Sequence, residues 1–230
     1  MAITKTPRRL FHFGQSPAFE PLSYWETRHQ SHFGTLKAVG HRQLSDTENA
    51  DQYAIKKKRV TELIRRYVDE PRGKTLLDAG CGVGVMTSSY VDLGFDVLGV
   101  DFSDTAIRSA QASGLHAQFL VSPLDRLALN RRFDVITIID VLLHVVDNDT
   151  WRATLSSLSR HLKPTGVFVI LDSFAQPGET WSRHCHPRSL PEYTETLADL
   201  DLGIAARERF DLAQEGSTKD LIAVVRNGCA

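Results

Sequence analysis

A chain of 230 residues, 42% of them hydrophobic and 24% charged, can bury the core of one domain and leaves little room for a second. The formal net charge of −1 lacks the basic excess typical of nucleic-acid binding, so we expect no nucleic-acid partner. The three cysteines show no CxxC spacing, which argues against a disulfide framework. Without a signal-peptide pattern or a bilayer-length apolar run, the sequence predicts a cytoplasmic protein with no membrane partner.

The first predicted unit is residues 1–50, and the second is the domain at 51–230. The first unit carries aromatic and histidine side chains but no sustained strand pattern. It is too aromatic for a free disordered tail, so we expect it to dock on the domain as a lid on its substrate side. Within it, Ser23–His29 is typical of a short helix, and Tyr24 and Trp25 are candidate substrate contacts.

A longer helix is predicted over Asp51–Val68. Its apolar stripe recurs at i, i+3, i+4 and i+7, in the residues Val60, Leu63, Ile64 and Tyr67. The charged run Lys56–Arg59 is interpreted as a solvated face of this helix. Pro71 and Gly73 are expected to close the segment before the first strand.

A glycine-rich turn follows the buried strand Leu76-Leu77. The turn begins after Asp78 and contains Gly80, Gly82 and Gly84, and Val85–Val91 is predicted to be a helix. A strand, a glycine turn and a helix together bring a ligand against open backbone N–H groups.

The next strand, Phe95–Val100, ends at Asp101, about 20 residues beyond the turn. Nucleotide-binding folds place an acid at this distance to accept hydrogen bonds from ribose hydroxyls. A helix N-cap is the alternative role for Asp101, and Ser103 competes for that role ahead of the predicted helix Ser103–Ser113. The glycine turn and the acid together predict a nucleotide site.

The glycine spacing bears on which nucleotide binds. The dinucleotide fingerprint is G-x-G-x-x-G, whereas this turn is Gly80-x-Gly82-x-Gly84. Asp78 is poorly suited to a pyrophosphate but could meet a cationic amino group, directly or through water. Both features argue against an NAD(P)-linked oxidoreductase, which would use the same turn and the same acid.

The segments Leu77–Gly84 and Gly99–Ser103 resemble the first motif and the second strand end of class I S-adenosylmethionine-dependent methyltransferases. The resemblance extends over residues 74–227. It implies an α/β, doubly wound, Rossmann-like sheet of seven strands, mostly parallel with an antiparallel last strand. It also implies S-adenosylmethionine as cofactor and methyl transfer to oxygen or nitrogen of a small-molecule substrate. A protein of this fold that binds S-adenosylmethionine without methylating is the alternative, and an NAD(P)-linked oxidoreductase is a weaker one.

The resemblance also suggests roles for single residues. In many related enzymes a Tyr/Trp–Arg segment closes over the cofactor, so Arg28 is the candidate for the methionine carboxylate, with a surface ion pair as its alternative. Related enzymes often hold the adenine amino group with an acid after the third strand, here predicted at His116–Val121. This chain continues Ser122-Pro123-Leu124-Asp125, which leaves Ser122, Asp125 or the backbone near Leu124 for that contact. The predicted cofactor contacts are Arg28, Asp78, Gly80, Cys81, Gly82, Gly84, Asp101, Phe102, Ser122, Leu124 and Asp140.

The fourth strand, Phe133–Ile139, is nearly continuous apolar sequence, as expected for a strand covered on both faces. Asp140 and His144 follow it, in the region beyond the strand ends where ligands of open α/β sheets lie. His144 is the candidate catalytic base, since its unperturbed pKa is near 7, and a merely packed histidine is the alternative. A stop at Lys163–Gly166, which also resembles the family, is expected before a fifth strand at Val167–Leu171.

Asp172–Arg188 is a loop by composition. Its histidines, together with Arg183 and Arg188, are interpreted as a basic rim that steers an anionic substrate, with a solvated loop as the alternative. The cluster His184-Cys185-His186 is a weak metal pattern, so no metal is expected. The predicted substrate contacts are Tyr24, Trp25, His144, Trp181, His186 and Arg188. Ser189-x-x-Glu192 has the spacing of a capping box, and strands at Ile204–Phe210 and Leu221–Val225 suit a hairpin.

Overall fold

Seven strands form one sheet in the computed structural model, which describes residues 19–174, 182–212 and 218–228. The strand order is β3-β2-β1-β4-β5-β7-β6. The strands are β1 Thr75–Ala79, β2 Asp96–Asp101, β3 Gln118–Val121, β4 Phe133–Ile139, β5 Leu162–Asp172, β6 Leu202–Asp211 and β7 Thr218–Arg226. Strands β1 to β5 pair in parallel, whereas β7 lies antiparallel between β5 and β6. The predicted seven-strand sheet with an antiparallel last strand is therefore confirmed.

Helices cover both faces of the sheet. They are α1 Pro21–Ser31, α2 Asp46–Arg65, α3 Thr87–Asp92, α4 Asp104–Ala112, α5 Asn148–Arg160 and α6 Leu190–Ala198. On one face, Leu155 of α5 and Tyr193 of α6 pack against the sheet, and on the other Val60 of α2 and Tyr90 of α3 do so, all of them fully buried. None of the helices that the structure describes has the length and apolar character needed to cross a membrane.

Helix α2 differs from its prediction at both ends. It begins at Asp46 because Ser45 and Glu48 form a reciprocal capping box, and it ends at Arg65. Tyr67 lies beyond this end and is 37% exposed, so its place in the apolar stripe is wrong. Lys56 is 7% exposed, so the interpretation of Lys56–Arg59 as a solvated face is wrong for this residue, whereas Lys58 and Arg59 are exposed. The physical reason is helical spacing, since Lys56 precedes Val60 by one turn and faces inward with it.

Strand β5 begins five residues before its prediction, at Leu162 rather than Val167. The predicted stop at Lys163–Gly166 lies inside the strand, so that boundary is wrong. Phe133 of β4 pairs with Leu162 of β5, and Val135 pairs with Val167. A step of two residues in β4 therefore corresponds to a step of five in β5, and the extra residues lie in an irregular stretch of the ladder. The predicted helix Val85–Val91 likewise starts later, at Thr87, because the turn continues through Met86.

Two predicted helix starts are confirmed. The side chain of Ser103 accepts from the backbone N–H of Ala106, and Ser189 and Glu192 form the expected capping box. The hairpin strands pair from Leu202 with Arg226 to Asp211 with Thr218, while connecting residues 213–217 lie outside the described residues.

Candidate active site

A cavity of about 680 Å³ lies at the carboxyl edge of the sheet, beyond β1, β2 and β4 and under α1. This volume is within the range of roughly 300–1,000 Å³ that is usual for small-molecule and cofactor sites. Ten of the predicted site residues line it: Trp25, Asp78, Gly80, Cys81, Gly82, Asp101, Phe102, Leu124, Asp140 and His144.

The glycine turn is tied to strand β2 by its own backbone. The N–H groups of Gly80 and Cys81 both donate to the carbonyl oxygen of Val100, at 2.7 and 3.0 Å. Gly80 has φ of +75°, and a Cβ there would lie 2.4 Å from the side chain of Val141, so only glycine fits. Gly84 is not among the cavity-lining residues, and a Cβ there would lie 3.2 Å from Leu115.

Asp101 is a buried carboxylate at the end of β2, with 6% exposure. One oxygen accepts from the N–H of Gly82 at 3.0 Å, and the other accepts from the N–H of Ser103 at 2.9 Å. Burial raises the pKa of Asp101 to about 6, although these backbone hydrogen bonds oppose the rise. Since Ser103 caps α4, the carboxylate is not used as an N-cap and lines the cavity.

Asp78 is the second buried carboxylate of the turn, with 2% exposure. It accepts from the hydroxyl of Thr87 at 2.6 Å and from that of Thr137 at 3.2 Å. Burial raises its pKa to about 6 despite these hydrogen bonds. The cavity wall therefore holds two desolvated carboxyl groups, at the ends of neighbouring strands β1 and β2.

Asp140 has a left-handed backbone, with φ of +56°, and is held between two lysines. Its carboxylate lies 2.7 Å from the ammonium of Lys56 on α2 and 2.5 Å from that of Lys219 on β7. Burial alone would raise the pKa of Asp140, but the two ammonium groups outweigh it and hold the pKa well below its usual range. These ion pairs order the end of β4, and the contact of Asp140 with the cofactor stays a prediction.

His144 lines the cavity from a short turn of 3₁₀ helix at Leu142–His144. Its Nδ1 lies 2.9 Å from the carbonyl oxygen of His184, and because a carbonyl can only accept, Nδ1 carries the proton. The lone pair is therefore on Nε2. Burial lowers the pKa of His144 to about 4, so the ring is neutral at pH 7.

Helix α1 closes the cavity from above. Trp25 contacts the ring of His144 edge-on, with 4.8 Å between ring centroids, and also lines the cavity. Tyr24 stacks instead on His184 at 4.9 Å and is not a lining residue. Arg28 donates to the carbonyl oxygens of Lys37 and Gly40 and lies 4.8 Å from the Trp25 ring centroid. Its contact with a ligand carboxylate stays a prediction.

The predicted basic rim is wrong in the case of Arg188. This side chain is 2% exposed, and its guanidinium donates to the carbonyl oxygen of Val145 and to the side chain of Asn148. His186 is also used internally, since its Nδ1 lies 2.9 Å from the carbonyl oxygen of Val146. Both residues fasten the segment at 182–189 to the turn after His144. Trp181 lies outside the described residues.

Ser122 does not line the cavity, and its hydroxyl lies 3.3 Å from the carbonyl oxygen of Pro123. The residues that follow it do line the cavity: Pro123, Leu124, Asp125 and Arg126. Of the alternatives left open for the adenine contact, the structure places Asp125 and the backbone near Leu124 at the cavity. Which group makes the contact stays a prediction.

Sequence reasoning missed several lining residues, among them His29, Val39, Tyr53 and Met86. Tyr53 and His29 lie on helices α2 and α1, far from the glycine turn in sequence. A recognisable signal existed for one of them, because Tyr53 precedes Val60 by seven residues and so continues the apolar stripe of α2. No pattern in the sequence marked the others.

A model of the methyltransferase domain matches residues 51–203, which is more than half of the chain. The chain belongs to the methyltransferase domain family. This match confirms the resemblance to class I S-adenosylmethionine-dependent methyltransferases. Curated relatives include two ubiquinone biosynthesis O-methyltransferases. The protein of Bordetella avium (strain 197N) is 26% identical, over 64% of this chain and 66% of the relative. The protein of Nitrosospira multiformis is 29% identical, over 59% of this chain and 62% of the relative. The chain thus spans less than two thirds of the length of these relatives.

Solved structures share the fold. A magnesium protoporphyrin IX methyltransferase from Synechocystis PCC 6803 with bound S-adenosylmethionine has a TM-score of 0.71 at 18% identity, covering 92% of this chain and all of that one. A Burkholderia thailandensis 1,6-didemethyltoxoflavin-N1-methyltransferase has a TM-score of 0.66 at 19% identity, covering 93% of both chains. At these identities the likeness shows the fold and leaves the acceptor to be argued from the site.

The cavity residues fit the family's cofactor chemically. Asp101 retains lone pairs beyond its two backbone partners and can accept from ribose hydroxyls, while Asp78 can face an ammonium group. Phe102 and Leu124 supply apolar surface in the same wall, where a flat base can pack. S-adenosylmethionine therefore suits this set of donors and acceptors.

These carboxyl groups predict a pH dependence of cofactor binding. Asp101 and Asp78 have pKa values of about 6, and an ionised carboxylate is the stronger acceptor. We expect the affinity for S-adenosylhomocysteine to weaken as the pH falls through 6, by up to about tenfold per pH unit for each group. His29 and His144, with pKa values of about 4, titrate below this window. Calorimetric titration between pH 5 and pH 8 measures the effect, and a constant dissociation constant would contradict it.

Proposed function

We propose that the protein transfers a methyl group from S-adenosylmethionine to oxygen or nitrogen of a small molecule, with a hydroxyl oxygen as the best-suited acceptor. The observation that carries the proposal is His144, a neutral imidazole whose unprotonated Nε2 belongs to a residue lining the cavity. A hydroxyl arrives protonated, and an unprotonated imidazole can accept that proton during transfer. The names of the curated relatives, which are O-methyltransferases, support the same acceptor.

The cavity lining supports an acceptor that contains a ring. Beside the carboxyl groups, His144 and further polar residues, much of the wall consists of apolar and aromatic side chains: Phe19, Leu22, Trp25, Val39, Tyr53, Met86, Phe102, Val141 and Val145. Flat aromatic surfaces favour stacking and edge-on contacts with a planar ligand. The cavity's volume of about 680 Å³ leaves room for a small acceptor beside the cofactor.

The protein's part in the reaction is alignment, exclusion of water and removal of a proton. When bound, S-adenosylmethionine supplies a methyl group that is already activated by the positive charge on sulfur. Trp25 and the other α1 residues that line the cavity cover one side of it, which suits a displacement that competes with water. The carbonyl oxygen of His184 fixes the His144 ring in the tautomer that accepts a proton at Nε2.

Two measurements test this function. Calorimetry should detect binding of S-adenosylhomocysteine and no binding of NAD, which separates a methyltransferase from an NAD(P)-linked oxidoreductase. Transfer of labelled methyl from S-adenosylmethionine is then measured with hydroxylated aromatic rings, aromatic nitrogen heterocycles and carboxylic acids. We expect turnover with the first class. Binding without transfer to any class would favour the alternative, a protein of this fold that binds the cofactor without methylating.

The N-terminal segment is proposed to be a lid that becomes ordered when the cofactor binds. Four residues of α1 line the cavity, namely Pro21, Leu22, Trp25 and His29, and Glu26 accepts hydrogen bonds from Ser103 and Thr105 at the start of α4. These contacts support a closed position over the cofactor side. Ordering α1 onto these polar contacts and onto the aromatic contacts of Tyr24 and Trp25 costs conformational entropy, which limits how tightly the helix closes without ligand.

Hydrogen exchange gives the direct test of the lid. The amides of Tyr24–Phe33 should exchange more slowly in the S-adenosylhomocysteine complex than in the free protein, because the ligand favours the closed position. Strand β4 is the internal control, since its buried amides should not change. Equal protection of Tyr24–Phe33 in both states would mean that the segment is a fixed wall.

A further inference from the structure

His29 is a buried polar side chain of α1 to which sequence analysis gave no role. It is 4% exposed, yet it is one of the residues that line the cavity. Its Nδ1 lies 2.8 Å from the hydroxyl oxygen of Ser103, the residue that caps α4. The function of its other ring nitrogen depends on which nitrogen carries the proton.

The hydrogen bonds of Ser103 decide that question. Its hydroxyl oxygen accepts from the N–H of Ala106 at 3.1 Å and has a single proton to donate. Glu26 lies 2.6 Å away, and although burial opposes ionisation, hydrogen bonds from Ser103 and Thr105 lower its pKa, so it is a carboxylate that only accepts. The Ser103 proton therefore goes to Glu26. His29 must donate from Nδ1, which leaves the lone pair on Nε2.

The ring of His29 is neutral at pH 7. Burial and the nearby charge of Arg28 lower its pKa to about 4, against the opposing effect of Glu26. Among residues 19–174, 182–212 and 218–228, no side chain or backbone group hydrogen-bonds to Nε2. Since the residue lines the cavity, a ligand that donates a hydrogen bond can use this acceptor.

Ser103 also joins His29 to the ribose side of the predicted cofactor site. Its backbone N–H donates to Asp101 at 2.9 Å, while its side chain holds the imidazole. A carboxylate and an imidazole acceptor are thus brought to one wall of the cavity by a single residue. Two neighbouring acceptors suit the two adjacent hydroxyls of a ribose.

We propose that Nε2 of His29 accepts a hydrogen bond from a ribose hydroxyl of S-adenosylmethionine, so that helix α1 supplies part of the cofactor site. The inference rests on the proposed placement of the ribose at Asp101. Helix α1 is then held closed by the cofactor itself as well as by Glu26 and its partners on α4.

The test measures calorimetric dissociation constants of S-adenosylhomocysteine and of its 2′-deoxy and 3′-deoxy analogues. His29→Asn keeps an N–H donor near the Nδ1 position for Ser103 and removes the acceptor at Nε2. His29→Gln is the matched variant, since its amide reaches the Nε2 position. Thermal unfolding of both variants reports whether they fold.

We expect His29→Asn to weaken binding of S-adenosylhomocysteine by roughly three- to tenfold. With the deoxy analogue that lacks the hydroxyl bound by His29, the same substitution should have no effect, because that hydrogen bond is already absent. His29→Gln should retain part of the affinity. Unchanged binding by His29→Asn, or an equal loss with all three ligands, would overturn the contact alone. Absence of binding to the unsubstituted protein would overturn the cofactor placement and the contact together.

Discussion

Replacing His144 with asparagine is expected to lower kcat by about 10²- to 10⁴-fold, the usual contribution of a positioned general base. Asparagine can still donate to the carbonyl oxygen of His184 from the position of Nδ1, but it has no basic nitrogen at the position of Nε2. The dissociation constant of S-adenosylhomocysteine should stay the same, because the base acts on the acceptor. Single-turnover rates with the best hydroxylated acceptor measure the effect.

The matched control is His116→Asn, the same chemical change at an exposed histidine that does not line the cavity. It should keep the full rate. A His144→Asn variant that keeps its rate while folding normally would show that His144 only packs at the strand end. Because the pKa of His144 is about 4, the base remains unprotonated from pH 6 to pH 9, and its protonation should lower the rate only under more acidic conditions.

Replacing Asp101 with alanine is expected to weaken binding of S-adenosylhomocysteine by about 10- to 100-fold. The loss corresponds to roughly 1.5–3 kcal/mol for hydrogen bonds to a charged group. The fold should remain intact because Ser103, not Asp101, caps α4. Calorimetric titration measures the affinity, and thermal unfolding checks the fold.

Asp104→Ala is the matched control for this prediction. Asp104 lies three residues further along the chain, in the first turn of α4, and its carboxylate pairs with Arg108 on the exposed side of the helix. It should bind S-adenosylhomocysteine as the unsubstituted protein does, since exposed pairs contribute little. Equal affinities of Asp101→Ala and Asp104→Ala would rule out the ribose assignment.

The centre of the sheet was predictable from sequence because β1, β2 and β4 are buried on both faces and appear as apolar runs. Strand β4 matches its prediction at both ends, Phe133 and Ile139. The predicted start of β5 was wrong because the pairing of β4 with β5 is irregular there. Pro164 and Gly166 normally end a strand, but here they lie among the extra residues of β5. The start of α2 was predictable in principle, because Ser45-x-x-Glu48 is a capping box.

The cavity was predictable only where a local motif marked it. The glycine turn, Asp101 and the end of β4 were found because spacing along the chain encodes them. The ion pair of Lys56 could not be predicted from sequence, because its partner Asp140 belongs to another element. A lysine within a run of charged residues instead suggests a solvent-exposed position. The burial of Arg188 could not be predicted for the same reason, since its hydrogen-bond partners, Val145 and Asn148, are distant in sequence.

The position of β7 has a consequence for how the protein matures during synthesis. This strand is the last of the seven along the chain, yet it lies between β5 and β6 and carries Lys219, one of the two ammonium groups that hold Asp140. A nascent chain that has not yet released β7 from the ribosome leaves Asp140 with Lys56 alone and leaves the edge of β5 unpaired. The ion pairs around Asp140, a residue of the cavity wall, are thus complete only after β7 has been synthesised and has inserted between β5 and β6.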